Sequence, residues 1–237
     1  MNANDVPRIA APLLLAAAIL VSFRLEKPAG PVELPGGDLP MPSAVEIRAS
    51  WEQAIAPSGP GFDRGATRAR VTVLEFADYG CPYCALFASA VYPTIAAEYV
   101  TTGRVRWKNV PFALGMFTNG SDAARAGLCA GRQGPAAFGR MHDRLFATQD
   151  AWQRARDPEG AFRSLAVAAG LDAARFAACY GSTATDTVLR AANDLADRMA
   201  VRATPTFFVN GRRVQGALPV EEFRDVLDDA LRRSRSF

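Results

Sequence analysis

The chain has 237 residues, 49% of them hydrophobic, enough to bury a full core in one globular domain with extensions. The net charge is only +3, and Arg232, Arg233 and Arg235 at the C-terminus lack interleaved aromatics, so they read as a solvated tail end and not as a nucleic-acid site. Four cysteines in so long a chain exclude a disulfide scaffold, although an even number is compatible with an oxidising compartment.

Ile9 to Phe23 is an uncharged apolar run preceded by Arg8 and followed by Arg24 and Lys27. It is short against the roughly 20 residues of a typical membrane span. Arg24, Glu26 and Lys27 stand where a cleavage site needs small residues. Residues 1–27 are therefore expected to be an uncleaved signal-anchor or transmembrane segment, with a cleaved signal as the alternative. Residues 28–61 open with a Pro/Gly-rich spacer, Pro28 to Pro42, which would hold a domain off the membrane. A short helix over Val45–Ala56 carries Trp51, and Pro57–Gly65 reads as a loop.

Val71–Phe76 reads as a buried strand, and it leads into Cys81-Pro82-Tyr83-Cys84. Pro82 suits the first position of a helix, which places Cys81 at the N-terminus and Cys84 one turn inward on the same face. Unsatisfied N–H groups and the helix dipole favour a thiolate there, in a pKa range of roughly 3.5 to 7.5. Two thiols at this spacing can close a disulfide, and the member of lower pKa is the nucleophile and the better leaving group. A zinc site is the competing reading, but the remaining Cys129, Cys179 and His142 are widely separated and form no second pair. Two inert buried cysteines are the other.

The helix is expected to run from Pro82 to about Thr102, bent at Pro93, and Arg104–Val110 alternates as a second strand ended by Pro111. Helical spacing follows over Ala123–Arg132, Ala136–Ala147, Gly160–Ala169, Asp172–Cys179 and Thr185–Ala200. Thr204 to Val214 reads as a strand, an Asn210-Gly211 hairpin turn and a second strand, and Pro219–Leu231 closes the chain as an amphipathic helix.

This order, with Val-Leu-Glu-Phe ahead of Cys-Pro-Tyr-Cys and Thr-Pro-Thr-Phe-Phe-Val-Asn-Gly downstream, resembles the DsbA-like thiol-disulfide oxidoreductases of the thioredoxin superfamily. The resemblance covers about residues 62–233. Glutaredoxins share the Cys-Pro-Tyr-Cys sequence but lack so large a helical insertion. The implied class is α/β, a thioredoxin fold with an inserted helical domain. Its core would occupy residues 62–115 and 182–237, and the insertion residues 116–181.

The resemblance also implies roles. Cys81 matches the exposed nucleophile and Cys84 the resolving cysteine. Pro205 matches a cis-proline whose loop leaves the backbone of Thr204 free to contact substrate. Glu75, a carboxylate on a core strand that is costly without work or a partner, matches an acid beneath the disulfide that relays a proton to Cys84. A partly solvated carboxylate at a strand end is its bland alternative, and Lys108 is the ion partner guessed from the neighbouring strand. Tyr83 stands where relatives with Cys-Pro-His-Cys have a histidine, which removes a positive partner for the thiolate. Relatives carry a structural disulfide across the insertion, so Cys129 and Cys179 are expected to pair, with two free thiols as the alternative. His142 reads as structural.

The function expected is an extracytoplasmic enzyme, tethered through its N-terminal segment, that donates the Cys81–Cys84 disulfide to exported proteins with free thiols. No cofactor or metal is implied beyond that redox-active pair. Its recycling partner would be a membrane redox protein such as a quinone-linked thiol oxidase. The alternatives are a reductase or disulfide isomerase of the envelope, a glutathione-linked transferase, and a peptide-binding assembly factor without redox turnover.

Overall fold

The computed structural model describes residues 42–57 and 59–234. The expected anchor over residues 1–27 and most of the spacer lie outside the described residues. Among the described residues no helix is long and apolar enough to cross a membrane.

The centre is strand β2, Val71–Asp78, two residues longer than its apolar run because Ala77 and Asp78 still pair with Pro111 and Phe112. Counting β1 as Phe62–Arg64, β3 as Val105–Phe112, β4 as Thr206–Val209 and β5 as Arg212–Gln215, the five strands lie in the order β1-β3-β2-β4-β5. Only the β2–β3 pair is parallel. Two expectations change here. Pro111 does not end β3, because β1 pairs with β3 only as far as Asn109 and, among the described residues, no ladder partner lies beyond it on that side. The loop read over Pro57–Gly65 contains β1, whose three residues are too few to display a period.

Alternation along β2 divides the core. Val71 and Val73 face one side with Phe87, Val91 and Ile95, together with Phe223 and Leu227 of helix α10, Val220–Arg233. Leu74 and Phe76 face the other, against Trp51 of α1, Ala44–Ile55, and Ala192 and Leu195 of α9, Thr183–Arg198. The chain leaves β2 into α2, Pro82–Leu86, then a π-helical turn over Phe87–Val91, α3 over Tyr92–Ile95, and a second π turn over Ala96–Val100. The first π turn ends where the Tyr92 N–H donates to Phe87 O, five residues back, just ahead of Pro93. The wider turn takes up the lost donor at the proline.

Helices α4 (Gly120–Gly131), α5 (Pro135–Ala147), α6 (Gln149–Gln153), α7 (Pro158–Ala168) and α8 (Ala173–Tyr180) form the insertion. Their own core gathers Leu128, Met141, Leu145, Trp152, Phe162 and Phe176. A disulfide joins Cys129 on α4 to Cys179 on α8, 50 residues apart. Closing a loop of that length removes unfolded-state entropy. The Cys129→Ser/Cys179→Ser double variant is therefore expected to lose about 2 to 4 kcal/mol in urea unfolding. A loss well under about 1 kcal/mol would mean that packing alone secures α8 to α4.

Candidate active site

The site lies where β2 ends and β4 begins. Asp78 closes the turn that follows β2: its backbone carbonyl accepts from Cys81 N at 3.0 Å and its Oδ1 from Gly80 N at 2.8 Å. Cys81 then caps α2 with Pro82 in the first turn. The Thr204–Pro205 peptide is cis, and the Cys81 thiol donates to Thr204 O at 3.3 Å. This loop covers the nucleophile position more than expected: Cys81 is only 4% exposed, whereas Tyr83 and Leu86 beside it are 64% and 51% exposed. The site is thus a nearly closed sulfur rimmed by apolar surface.

Both Cys81 and Cys84 are free thiols in this structure. Their environments push them apart. The Cys81 thiol is lowered to about 6, first by its hydrogen bond with Cys84 and then, against the cost of burial, by Thr204 and the N–H groups of Cys84 and Tyr83. Burial pushes Cys84 well up, and the neighbouring Cys81 adds to it. At neutral pH one sulfur is largely thiolate and the other a thiol, the asymmetry that thiol–disulfide exchange needs. Cys129 and Cys179 are bonded to each other, so neither is free to complete a tetrahedral metal site with this pair.

Glu75 is 3% exposed and lies on the sheet face that carries Val71 and Val73. Its Oε2 accepts from Trp107 Nε1 at 2.7 Å and Asn109 Nδ2 at 2.5 Å. Burial raises its carboxyl to about 7, opposed by the Trp107 bond, the charge of Arg64 and the Asn109 bond. Glu75 in turn raises Cys84 electrostatically. Lys108 does not pair with it. Register sets Glu75 opposite Asn109, so Lys108 points to the other face, where Nζ donates to Ala56 O and Gly59 O, each at 3.1 Å. The cation near Glu75 is Arg64 of β1, which also meets Asp143 at 3.1 Å and lies over the Tyr92 ring.

His142 is buried beside Phe138 and Phe146, its Nδ1 3.0 Å from Tyr79 Oη, and burial holds it neutral. Sequence reasoning missed Arg64, Gln149 and Gln153. Gln149 Nε2 donates to Tyr79 O at 2.6 Å and Cys81 O at 3.0 Å, and Gln153 Nε2 to Gly80 O at 2.8 Å. Helix α6 is a single short turn between longer helices, and the only available signal was two glutamines four apart.

The family model described as thioredoxin matches residues 58–229. Disulfide bond formation protein D of Bacillus subtilis (strain 168) is 26% identical over 181 residues, which cover 71% of this chain and 76% of that protein. The crystal structure of alpha-DsbA1 from Wolbachia pipientis superposes with a TM-score of 0.68 at 18% identity, over 79% of this chain and 98% of that one, a likeness of fold. Na(+)/H(+) antiporter NhaA 3 of Salinispora tropica is 34% identical over 183 residues, 76% of this chain but 26% of the antiporter. The chain therefore spans about a quarter of that relative's length. It belongs to the thioredoxin family.

Proposed function

We propose that this enzyme works on the extracytoplasmic side of a membrane and passes the Cys81–Cys84 disulfide to exported proteins. The observation that carries this reading is the split between the two sulfurs, one lowered to about 6 and the other pushed well up. A stabilised Cys81 thiolate favours the reduced pair and so makes the disulfide a ready oxidant. The apolar run Ile9–Phe23 and the name of the Bacillus relative support the placement and the direction.

In the proposed cycle, a substrate thiolate attacks Cys81 Sγ. A new sulfur–sulfur bond forms to Cys81 and the Cys81–Cys84 bond breaks. Cys84 leaves with the electron pair and takes a proton, which Glu75 supplies from its buried carboxyl. Thr204 and the cis-Pro205 loop hold the substrate backbone beside the mixed disulfide. A second substrate thiolate then attacks its own bonded sulfur, and Cys81 departs as a thiolate. The substrate has lost two electrons and the enzyme is a dithiol. A membrane thiol oxidase linked to quinone would withdraw those electrons, and no cofactor beyond the cysteine pair is used.

The test is the equilibrium potential of Cys81–Cys84 in glutathione buffers, with Cys129 and Cys179 counted separately. A value well above that of thioredoxin, about −270 mV, is expected. A value at or below it would replace the donor with a reductase fed by a membrane electron donor.

The same asymmetry has a stability signature. In the reduced protein the folded Cys81 ionises near 6 and the unfolded thiol near 9.0, so the thiolate's contribution grows as pH rises from 6 towards 9 and is lost below. In the Cys129→Ser/Cys179→Ser background, the stability of the reduced form relative to the oxidised form is expected to rise across that window. A gap independent of pH would remove the thiolate from the account.

A further inference from the structure

Three consecutive carbonyls on the approach to Cys81, those of Tyr79, Gly80 and Cys81, are met by two side chains from a distant part of the chain. Gln149 holds the first and third, at 2.6 and 3.0 Å, and Gln153 the second, at 2.8 Å. The two glutamines are four apart on α6, hence on one face. Helix α6 is itself fixed: Trp152 is buried, its Nε1 donates to Leu145 O at 2.7 Å, and its carbonyl accepts from Asn119 Nδ2 at 2.9 Å.

The opposite edges of the first two of these peptides are also committed. Gly80 N and Cys81 N both donate to Asp78, and Cys81 O also accepts the first helical bond, from Ala85 N at 3.1 Å. The Tyr79–Gly80 and Gly80–Cys81 peptides are thereby held at both edges, and the Cys81–Pro82 peptide, which has no N–H, is held by two bonds to its carbonyl. The orientation of the Cys81–Pro82 peptide sets where the first turn of α2 begins, and so where the N–H groups of Tyr83 and Cys84 lie relative to the sulfur. A carbonyl that loses its amide partner in this half-buried place must find another or turn, because an unpaired buried acceptor is costly.

We propose that Gln149 and Gln153 are positioning residues for thiol–disulfide exchange: α6 of the helical insertion holds the Tyr79–Cys81 backbone so that Cys81 Sγ stays over the first turn of α2. Neither glutamine touches the reacting sulfurs. They act through the backbone, and they make the insertion a working part of the site. This rests on the exchange chemistry proposed above and adds residues to it.

The experiment compares the full chain with its Gln149→Met/Gln153→Met variant, which keeps side-chain size and loses the donors, and with the milder Gln153→Met. Two readouts are taken on reduced protein: thiolate absorbance against pH, and the second-order rate with oxidised glutathione at pH 6. The double variant is expected to titrate about one pH unit higher and to react about fivefold more slowly at pH 6, where a shift from about 6 to about 7 takes the thiolate fraction from about a half to about a tenth. Gln153→Met is expected to move both in the same direction by less. A Gln149→Glu variant, which turns an acceptor towards the carbonyls, is expected to shift the titration at least as far as the double variant.

Unchanged titration and rate in the double variant would overturn the clamp. Should that variant fail to fold, Gln153→Met decides alone, and a wild-type titration in it would overturn the proposal. Failure of the underlying exchange reading looks different, since the parent chain itself would then neither titrate near 6 nor react.

Discussion

Cys81→Ser is expected to reduce disulfide transfer to the uncatalysed background, the largest effect of any single substitution in this chain. Thr204 O and the first turn of α2 surround that sulfur, and serine in its place retains the cap while lacking a thiolate at any working pH. Cys84→Ser should behave differently. Its Cys81 can still attack a disulfide-bonded substrate, but no resolving thiol remains one turn inward, so mixed disulfides through Cys81 should accumulate and be visible on non-reducing gels. Both variants are checked by oxidative refolding of a reduced protein substrate with oxidised glutathione as the final electron acceptor, and by mass spectrometry of trapped complexes. Transfer persisting in Cys81→Ser would overturn the assignment of the nucleophile. Complexes through Cys129 or Cys179 would move the chemistry to the insertion.

Glu75→Gln is expected to make the oxidised protein more stable at pH 8 than at pH 4.5, relative to wild type, by about 3 kcal/mol. The sign follows from a folded-state value of about 7 against 4.5 for the free side chain. Between those values the unfolded chain releases its proton first, so wild-type stability falls as pH rises through the window and levels off above 7. Glutamine keeps an acceptor for Trp107 and Asn109 and never ionises. In the oxidised form neither Cys81 nor Cys84 titrates. Burial shifts Asp78 up and His142 down in both proteins, so those effects cancel in the difference. Urea unfolding at several pH values gives the comparison. A difference that stays flat from pH 4.5 to 8 would mean that Glu75 is not ionising in the interior. The same variant should slow exchange near neutral pH, because Cys84 would leave without its proton donor.

Stable and functional demands conflict at this residue. A buried carboxyl on the central strand destabilises the fold at the pH where it ionises, and a hydrophobic replacement would pack without that cost. The Trp107 bond offsets the largest part of the burial, and the charge of Arg64 and the Asn109 bond add to it. The net position near 7 allows the group to give and take a proton at neutral pH.

What could be read locally was read from local causes. The apolar run starting at Val71, the Cys81-Pro82 start of a helix and the Asn210-Gly211 turn each depend on neighbours within a few residues. Positive φ at both turn positions is what Asn-Gly tolerates. The helices of the insertion announced themselves by apolar spacing over two turns or more, except α6, whose five residues are too few for a period.

The sequence by itself therefore determined four of the five strands, most helices and the placing of Cys81 and Cys84 at a helix start, because those follow from short-range sterics and periodicity. Tertiary structure alone decided which side chains meet the site. Strand register sent Lys108 to the face away from Glu75, three residues of β1 delivered Arg64, and α6 brought Gln149 and Gln153 to the carbonyls of Tyr79, Gly80 and Cys81. Those meetings depend on the parity of paired strands and the docking of a remote helix, and neither leaves a pattern within a few residues of the chain.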